Sequence, residues 1–206
     1  MLYLKPYFNL FSMALNSCTA CFLLFLLFTS HIQAQTKRFD TTVKMGKQGF
    51  RVECSNKSAD QNDVSVSSIG FKAEGPDPSF KVPGKVTKVL TDDMNDDGIP
   101  DLLIGIYSGN NDEIGTIVGI SFNATDKKFM PVYFPDIYLD PKIRDGYKGY
   151  DEFSILTGTL LRKFPVYLPN DTPGNPTGGK RTVQYKAMTD NGHLSFKVLR
   201  WFDVKT

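Results

Sequence analysis

The strongest candidate for chemistry in this sequence is a run of acidic residues near its middle. The nonamer Asp93–Asp101 reads Asp-Met-Asn-Asp-Asp-Gly-Ile-Pro-Asp and places oxygen-bearing side chains at its first, third, fifth and ninth positions. A glycine stands at the sixth position, where a calcium-binding loop has to turn sharply. Because hard cations are bound by several carboxylate and carbonyl oxygens, this spacing predicts a calcium site. The predicted ligands are the side chains of Asp93, Asn95, Asp97 and Asp101 and the backbone carbonyl of Ile99.

This loop differs from an EF-hand in two respects. The twelfth position of the count is Ile104, where an EF-hand needs a bidentate Glu, and the flanking residues have the pattern of strands. The sequence Asp-x-Asn-x-Asp-Gly-x-x-Asp-Leu followed by an apolar strand resembles the calcium loops of FG-GAP and related β-propeller repeats. A propeller needs about four or more blades, and this chain has one copy of the loop. We therefore expect a structural Ca²⁺ that fixes the start of the following strand.

The alternative interpretation is that these carboxylates are solvent-exposed side chains of a turn and bind no metal. Five aspartates lie within ten residues, at positions 92, 93, 96, 97 and 101. Without a cation their negative charges repel one another, and a bound metal removes that cost. The charge density therefore favours the calcium site.

Catalytic arrangements based on histidine have little support. His193 is the only histidine beyond position 31, and it follows Asn191-Gly192, a pair typical of a hairpin tip. A Ser-His-Asp triad, a Cys-His pair or a multi-histidine metal centre would depend on that residue. We predict that the protein is not an enzyme.

Paired carboxylates give no better basis for catalysis. Asp151 and Glu152 are neighbours, and adjacent strand residues point to opposite faces, so the two cannot flank one glycosidic bond. We interpret them as a solvent-exposed acid and a turn partner. The pair Arg162-Lys163 is interpreted in the same way, as a solvated strand edge.

The N-terminal region has the features of an export signal. The apolar block Cys21–Phe28 lies within Pro6–Thr36, a stretch without Asp, Glu, Lys or Arg. The block has the length of a signal-peptide core and is too short to span a bilayer alone, and Ala34 suits the position before the cleavage site. We predict a signal peptide at residues 1–34 and a periplasmic or secreted protein, with an uncleaved anchor as the alternative.

The predicted mature chain keeps one cysteine, Cys54, and so cannot form an internal disulfide. Its stability must come from a core or a metal. The chain has 24 Lys and Arg against 22 Asp and Glu. This near-neutral balance gives no reason to expect nucleic acid or an anionic membrane as a partner.

The elements that position the acidic loop are predicted to be strands. Apolar residues recur at every second position, which is typical of half-buried strands, and turn-forming runs such as Pro169–Pro176 separate them. The only helical turn expected is near residues 141–146. The run Leu102–Ile106 is apolar without alternation and predicts a central strand covered on both faces. The predicted strands cover residues 49–54, 64–73 with a phase shift, 86–91, 101–107, 116–122, 129–134, 153–156, 160–168, 182–188 and 194–204.

This spacing predicts an all-β fold, an antiparallel β-sandwich. We expect one domain over residues 48–206, preceded by a flexible arm at residues 35–47. Eight aromatic residues in the C-terminal half are expected to lie in the core or on a sheet face, with an exposed position as the alternative for the last of them: Tyr147, Tyr150, Phe153, Phe164, Tyr167, Tyr185, Phe196 and Trp201.

Three blocks of the C-terminal half carry a family resemblance. They are Gly146–Phe153, which reads Gly-Tyr-Lys-Gly-Tyr-Asp-Glu-Phe, then Gly158–Tyr167 and Pro176–Lys186. Together with the acidic loop they resemble the periplasmic inhibitors of invertebrate-type lysozyme and their bacterial relatives, over about Val86–Phe202. The resemblance implies an exported β-sandwich that inserts a loop into the active-site cleft of a lysozyme.

The resemblance also implies a loop of the Ser-Gly-x-Tyr type whose hydroxyls meet the lysozyme's catalytic carboxylates. Here Ser108-Gly109 matches the start of that motif, and Asn111 stands where the tyrosine would be. In the alternative alignment, three residues later, Asn111 takes the serine position and Ile114 the tyrosine position. Two acidic residues of the segment would face a site that already holds carboxylates, and like charges disfavour a close approach. The predicted partner-binding residues are Ser108, Gly109, Asn110, Asn111, Asp112, Glu113 and Ile114.

We therefore expect a binding protein of the lysozyme-inhibitor type, which occludes a target enzyme with this loop and carries a structural Ca²⁺. The alternative is a calcium-stabilised envelope or adhesion module that binds a glycan or a surface protein.

Overall fold

The structure is a computed structural model and describes residues 38–109, 111 and 113–205. The predicted signal peptide, residues 1–34, lies outside these residues. The described residues form one short 3-10 helix, Ile137–Leu139, and twelve strands. The strands are β1 (Phe39–Met45), β2 (Gln48–Cys54), β3 (Asn62–Ile69), β4 (Ser79–Val82), β5 (Lys85–Asp92), β6 (Asp101–Ser108), β7 (Ile114–Asn123), β8 (Lys128–Val132), β9 (Glu152–Leu156), β10 (Thr159–Pro165), β11 (Lys180–Asp190) and β12 (His193–Val204).

The strands form three four-stranded sheets, each built from consecutive strands. The N-terminal sheet has the order β1-β2-β3-β4, the middle sheet β5-β6-β7-β8 and the C-terminal sheet β12-β11-β10-β9. All neighbouring strands are antiparallel. The predicted all-β, antiparallel sandwich-like fold is therefore confirmed, with three sheets. Among the described residues no helix is long and apolar enough to cross a membrane.

The middle sheet is covered on both of its faces. Leu102, Ile104 and Ile106 of β6 belong to a buried cluster shared with the N-terminal sheet, whereas Leu103 belongs to the cluster shared with the C-terminal sheet. Successive side chains of a strand point to opposite faces, so β6 contributes to both clusters. The prediction of a central strand over Leu102–Ile106 is confirmed.

The aromatic residues of the C-terminal half mostly lie in the second of these clusters. Phe153, Phe164, Tyr185 and Phe196 are almost completely buried there. Two of the eight are exposed: Tyr150 at 46%, and Trp201 on β12 at 39%, the alternative expected for that residue.

Each predicted strand overlaps an observed one, but two observed strands were not predicted. The flexible arm expected at residues 35–47 instead contains β1, which pairs with β2 from Phe39 opposite Cys54 to Met45 opposite Gln48. Its alternating side chains are only half-buried, so the apolar signal is weak. The other missed strand is β4, which has four residues.

A helical turn does occur close to the predicted position. The amide of Arg144 donates to the carbonyl of Asp140 at 3.0 Å. Arg181 fixes this turn from β11, because one of its nitrogens donates to the carbonyls of Lys142, Ile143 and Asp145. The turn is thus held by the C-terminal sheet.

Candidate functional site

The acidic loop connects β5 to β6 and is organised by its own carboxylates. Asp93 accepts hydrogen bonds from the amides of Asp97 at 2.9 Å and Gly98 at 2.7 Å. Asp97 accepts one from the amide of Ile99 at 2.8 Å. Gly98 has a φ of +81° and Asp96 one of +60°, a left-handed conformation that glycine adopts at no steric cost. The sharp turn predicted at Gly98 is present.

Asn95 points its side chain into this loop. Its Nδ2 donates to Asp97 Oδ2 at 3.0 Å and to Thr189 Oγ1 at 3.1 Å. Its Oδ1 is fully buried and has no hydrogen-bond partner among the described residues. A buried polar atom without a partner costs free energy. A cation bound by this amide oxygen would remove that cost.

Asp101, the last predicted ligand, is the first residue of β6 and is only 1% exposed. Its Oδ2 accepts a hydrogen bond from the amide of Met94 at 3.0 Å. Burial raises the pKa of Asp101 to about 6, against the lowering effect of hydrogen bonds from Ser121 and Met94. The charges of Asp97 and Asp93 raise this pKa further. The loop therefore concentrates negative charge around a buried carboxyl group.

The predicted ligands lie on one loop, but they do not form a ready-made cage. Within the described part of the chain, no three His, Cys, Asp or Glu side chains converge as a group that could hold a metal ion. The carboxylates of Asp93 and Asp97 instead accept hydrogen bonds from loop amides. The donor set of carboxylates, one side-chain amide oxygen and a backbone carbonyl is the type that Ca²⁺ prefers. Together with the unpartnered oxygen of Asn95, this chemistry fits a calcium ion.

A second charged group lies at the far end of the β6–β7 hairpin. Asp151 and Arg162 form an ion pair of 2.6 Å, with side chains 0% and 2% exposed. The interpretation of Asp151 as a solvent-exposed acid and of Arg162 as part of a solvated edge is therefore wrong. Glu152 and Lys163 point the other way, and the Glu152 side chain is 65% exposed. The expected opposite orientation of Asp151 and Glu152 is confirmed.

The ion pair holds the loop end of the hairpin through the backbone of Gly115. The amide of Gly115 donates to Asp151 Oδ2 at 2.7 Å, and Arg162 donates to the carbonyl of Gly115 at 2.9 Å. The hydroxyl of Tyr107, on the opposite strand, donates to the carbonyl of Asp151 at 2.8 Å. The hydroxyl of Tyr147 donates to Asp151 Oδ2 at 2.5 Å. We call these five residues the hairpin clamp.

The ionisation of the clamp is fixed by burial and mutual charge. Burial acts to lower the pKa of Arg162, but the hydrogen bond and charge of Asp151 raise it above its ordinary value. Burial and the charge of Asp151 raise the pKa of Tyr107 to about 12. Burial also raises the pKa of Tyr147. At neutral pH the clamp is therefore one ion pair surrounded by neutral phenols.

The predicted partner-binding loop is the tip of this hairpin. Ser108 pairs with Ile114, which leaves the five residues between them as the loop. Gly109 and Asn111 are exposed, and the Asn111 amide donates to the carboxylate of Glu113 at 2.7 Å. Asn110 and Asp112 lie outside the described residues. The Glu113 carboxylate is therefore turned back onto its own loop.

The loop is also fixed from outside the hairpin. The carbonyl of Glu113 accepts a hydrogen bond from the amide of Tyr150 at 2.6 Å. A Cβ at Gly149 would lie 2.7 Å from that carbonyl oxygen, and this glycine has a φ of +90°. Only glycine fits this close approach without strain. The Gly146–Phe153 block thus contacts the loop and fixes the backbone at Glu113.

Sequence reasoning missed the clamp although a signal for Arg162 was present. Arg162 lies between Leu160 and Phe164 at a period of two, so it shares a face with two core residues. A charged residue on a buried face needs a buried partner. The identity of that partner depends on the turn before β9, which no pattern in the sequence specifies.

Two further residues singled out in the sequence, the histidine and the cysteine, lie outside both charged groups. His193 is exposed at the β11–β12 turn, as expected for a hairpin tip. Cys54 is buried, and its thiol donates to Asn56 Oδ1 at 3.1 Å.

Comparison with known proteins adds no identification. No protein-family model matches the chain, and no curated protein sequence matches it. Its function is therefore inferred from the geometry.

Proposed function

We propose that this chain is an exported binding protein that presents the β6–β7 loop to a protein partner, with a wall-degrading enzyme of the lysozyme type as the target. Localisation in the periplasm or outside the cell follows from the predicted signal. The observation that supports the proposal most is the hairpin clamp, a buried ion pair at the base of an exposed loop.

A clamp of this kind suits an occluding loop. A binding loop that is rigid before it meets its partner loses less conformational entropy on association. Gly115 is held through both its amide and its carbonyl, and Glu113 is held by Tyr150. The tip residues Gly109 and Asn111 remain exposed. The C-terminal side of the loop is therefore held in place, and its described tip residues are accessible.

We further propose that the acidic loop binds a structural Ca²⁺. The ligands would be Asp93, Asn95, Asp97, Asp101 and the carbonyl of Ile99. Asp101 begins β6, the strand that leads to the binding loop. The ion would neutralise the charge around Asp101 and fix the start of that strand, and no step of chemistry is assigned to it.

The experiment is an inhibition panel against the classes of lysozyme, run in calcium and in chelator. We expect inhibition of one class, and loss of it in Asn111→Arg, which places a long cation at the centre of the tip. The matched control is Thr125→Arg in the exposed β7–β8 turn of the same sheet, which should inhibit normally. Lack of inhibition and of measurable binding across the panel, with calcium present, would refute a lysozyme target.

A groove beside the acidic loop supports a second candidate, a calcium-dependent glycan-binding module. It has a volume of about 630 Å³ and is lined by the acidic loop together with the β9–β10 turn and by Lys186 and Leu199. A cation at its edge could bind sugar hydroxyls. Retention on a cell-wall polysaccharide resin that is lost in chelator would favour this candidate. Passage through the resin in both buffers would count against it.

A further inference from the structure

The outer edge of β12 is an apolar strand edge that the rest of the described chain leaves open. β12 is the terminal strand of the C-terminal sheet. Within the part of the chain that the structure describes, only the first part of β12 has a second neighbour, because Tyr133 exchanges hydrogen bonds with Leu194 and Phe196. From residue 197 to 204, no strand of the described residues pairs with this edge.

The same stretch is unusually apolar for an exposed strand. Five of its eight residues are large hydrophobic side chains between 38% and 58% exposed: Val198, Leu199, Trp201, Phe202 and Val204. Natural proteins normally protect such edges with charges, prolines or covering loops, because open edges pair with other strands. The ladder is shifted at Gln184/Tyr185, but Arg200–Val204 pairs regularly with β11. A regular half-strand is therefore available for pairing.

The charges on this edge specify what it can bind. Lys197, Arg200 and Lys205 are basic and exposed. Arg200 donates to the neutral amide of Gln184 at 2.6 Å, so its charge is not cancelled there. The one acid, Asp203, accepts two hydrogen bonds from Arg181, at 2.7 and 2.8 Å. Carboxylates lie beside the first part of this stretch, with Asp136 and Asp140 near Val198 and the acidic loop near Leu199. The half of the edge from Arg200 to Lys205 therefore presents the net positive charge.

We propose that the β12 edge binds an extended acidic and apolar segment of a partner protein by adding it as a fifth strand to the C-terminal sheet. Main-chain hydrogen bonds supply affinity in such strand addition, and alternate side chains supply specificity. A second copy of this chain is the poorer occupant, because antiparallel pairing of two β12 edges sets two basic strands against each other. This surface is separate from the β6–β7 loop, so the proposal does not rest on the proposed inhibitory function.

Peptide binding at this edge can be followed by the tryptophan fluorescence of the chain itself. Its single tryptophan is Trp201, on the edge strand itself. The probes are three seven-residue peptides without tryptophan: Glu and Val in alternation, Lys and Val in alternation, and the acidic peptide with its central Val replaced by Pro. We expect the acidic peptide to shift Trp201 emission to shorter wavelength in a saturable way. The Lys peptide and the Pro peptide should each bind about tenfold more weakly or not at all.

Charge reversal tests the assignment to this edge. The variant Arg200→Glu/Lys205→Glu should reverse the preference, so that the Lys peptide binds more tightly than the acidic one. The matched control, Lys57→Glu/Lys81→Glu, changes the net charge equally at exposed positions on or near the N-terminal sheet and should keep the original preference. Circular dichroism confirms that both variants are folded.

Three results would overturn the proposal. Equal binding of the acidic peptide and its proline variant would show charge attraction without strand addition. An unchanged preference in Arg200→Glu/Lys205→Glu would place the peptide elsewhere. Sedimentation showing a dimer of this chain that Arg200→Glu/Lys205→Glu alters would assign the edge to a second copy.

Discussion

Two buried aspartates, one near each end of the β6–β7 region, differ in how their negative charge is balanced. Asp151 and Asp101 are both almost fully buried. Asp151 has a cation from its own chain, Arg162, at 2.6 Å. Among the described residues, the hydrogen-bond donors to Asp101 are the neutral groups of Met94 and Ser121, and two further aspartates lie close enough to act on its charge. One carboxylate is thus balanced within the fold, and the other is balanced only if a cation comes from outside.

This difference explains why the two groups suit different roles. A buried ion pair supplied by the chain needs no ligand from solution, and breaking it leaves an uncompensated buried charge. A loop that needs an external cation gains stability only where that cation is present. The clamp would therefore hold the β6–β7 loop whether or not calcium is present, and the acidic loop would add stability only where calcium is available.

The largest expected effect comes from removing the internal cation. Arg162→Leu leaves Asp151 buried and unpaired, so the free energy of unfolding should fall by about 3–5 kcal/mol, measured by urea denaturation. The control Lys163→Met, at the next position of β10, should change it by less than about 0.5 kcal/mol. Adding Asp151→Leu to Arg162→Leu should recover part of the loss. Similar losses for Arg162→Leu and Lys163→Met would contradict the clamp.

Removing the proposed Ca²⁺ with a chelator should have the next largest effect. Calcium at about a hundred times its dissociation constant should stabilise the fold by about 2.7 kcal/mol, seen as a rise in melting temperature over the chelated protein. Asp97→Ala should abolish this rise. Asp63→Ala, an exposed acid on β3, should retain it. An identical melting curve in calcium and chelator would refute the metal site.

Replacing Asp101 by a neutral residue should make the calcium-free protein more stable. The pKa of Asp101 is raised from 3.8 to about 6, so the folded state favours the protonated form. The resulting stabilisation is present at low pH and is lost as the pH rises through about 6. At pH 7 the charged carboxyl group therefore costs about 2–3 kcal/mol, at about 1.4 kcal/mol per pKa unit.

Asp101→Asn should recover part of this cost in chelator at pH 7 and lose the response to calcium. Urea denaturation of both proteins, with and without calcium, makes the measurement. A lower stability of Asp101→Asn than of the parent protein in chelator would show that another group already balances the charge of Asp101.

The smallest expected effect is at the edge of the clamp. Tyr147→Phe removes one hydroxyl that donates to Asp151 and accepts from Arg162. We expect a loss of about 1–2 kcal/mol and faster hydrogen exchange at the Gly115 amide. Tyr133→Phe, where the ring is 60% exposed, is the control and should change neither. Unaltered exchange at Gly115 in Tyr147→Phe would separate this tyrosine from the loop.

Sequence patterns predicted the strands well because alternation is a local property. β6 was readable as a central strand, since Leu102–Ile106 lacks the polar positions of a half-exposed strand. β1 was missed because its residues between Phe39 and Met45 are mostly polar or charged and lie at a sheet edge. The division into three sheets was not predictable, because alternation shows that a strand has a buried face and does not show which strand covers it.

The two carboxylate sites differ in the same respect. The acidic loop is contiguous, so its spacing alone predicted the turn at Gly98 and the set of oxygen ligands. The clamp joins residues from three segments of the chain, around Gly115, Asp151 and Arg162. Contacts of this kind depend on how strands pair and turn, and a linear pattern gives only the indirect sign that Arg162 lies on a buried face.

The most direct test of the account is a calorimetric titration of the chelator-treated protein with calcium. We expect one calcium ion to bind per chain, with the binding heat abolished in Asp97→Ala and retained in Asp63→Ala. Absence of calcium binding, or binding by Asp97→Ala equal to that of the parent protein, would contradict the calcium site.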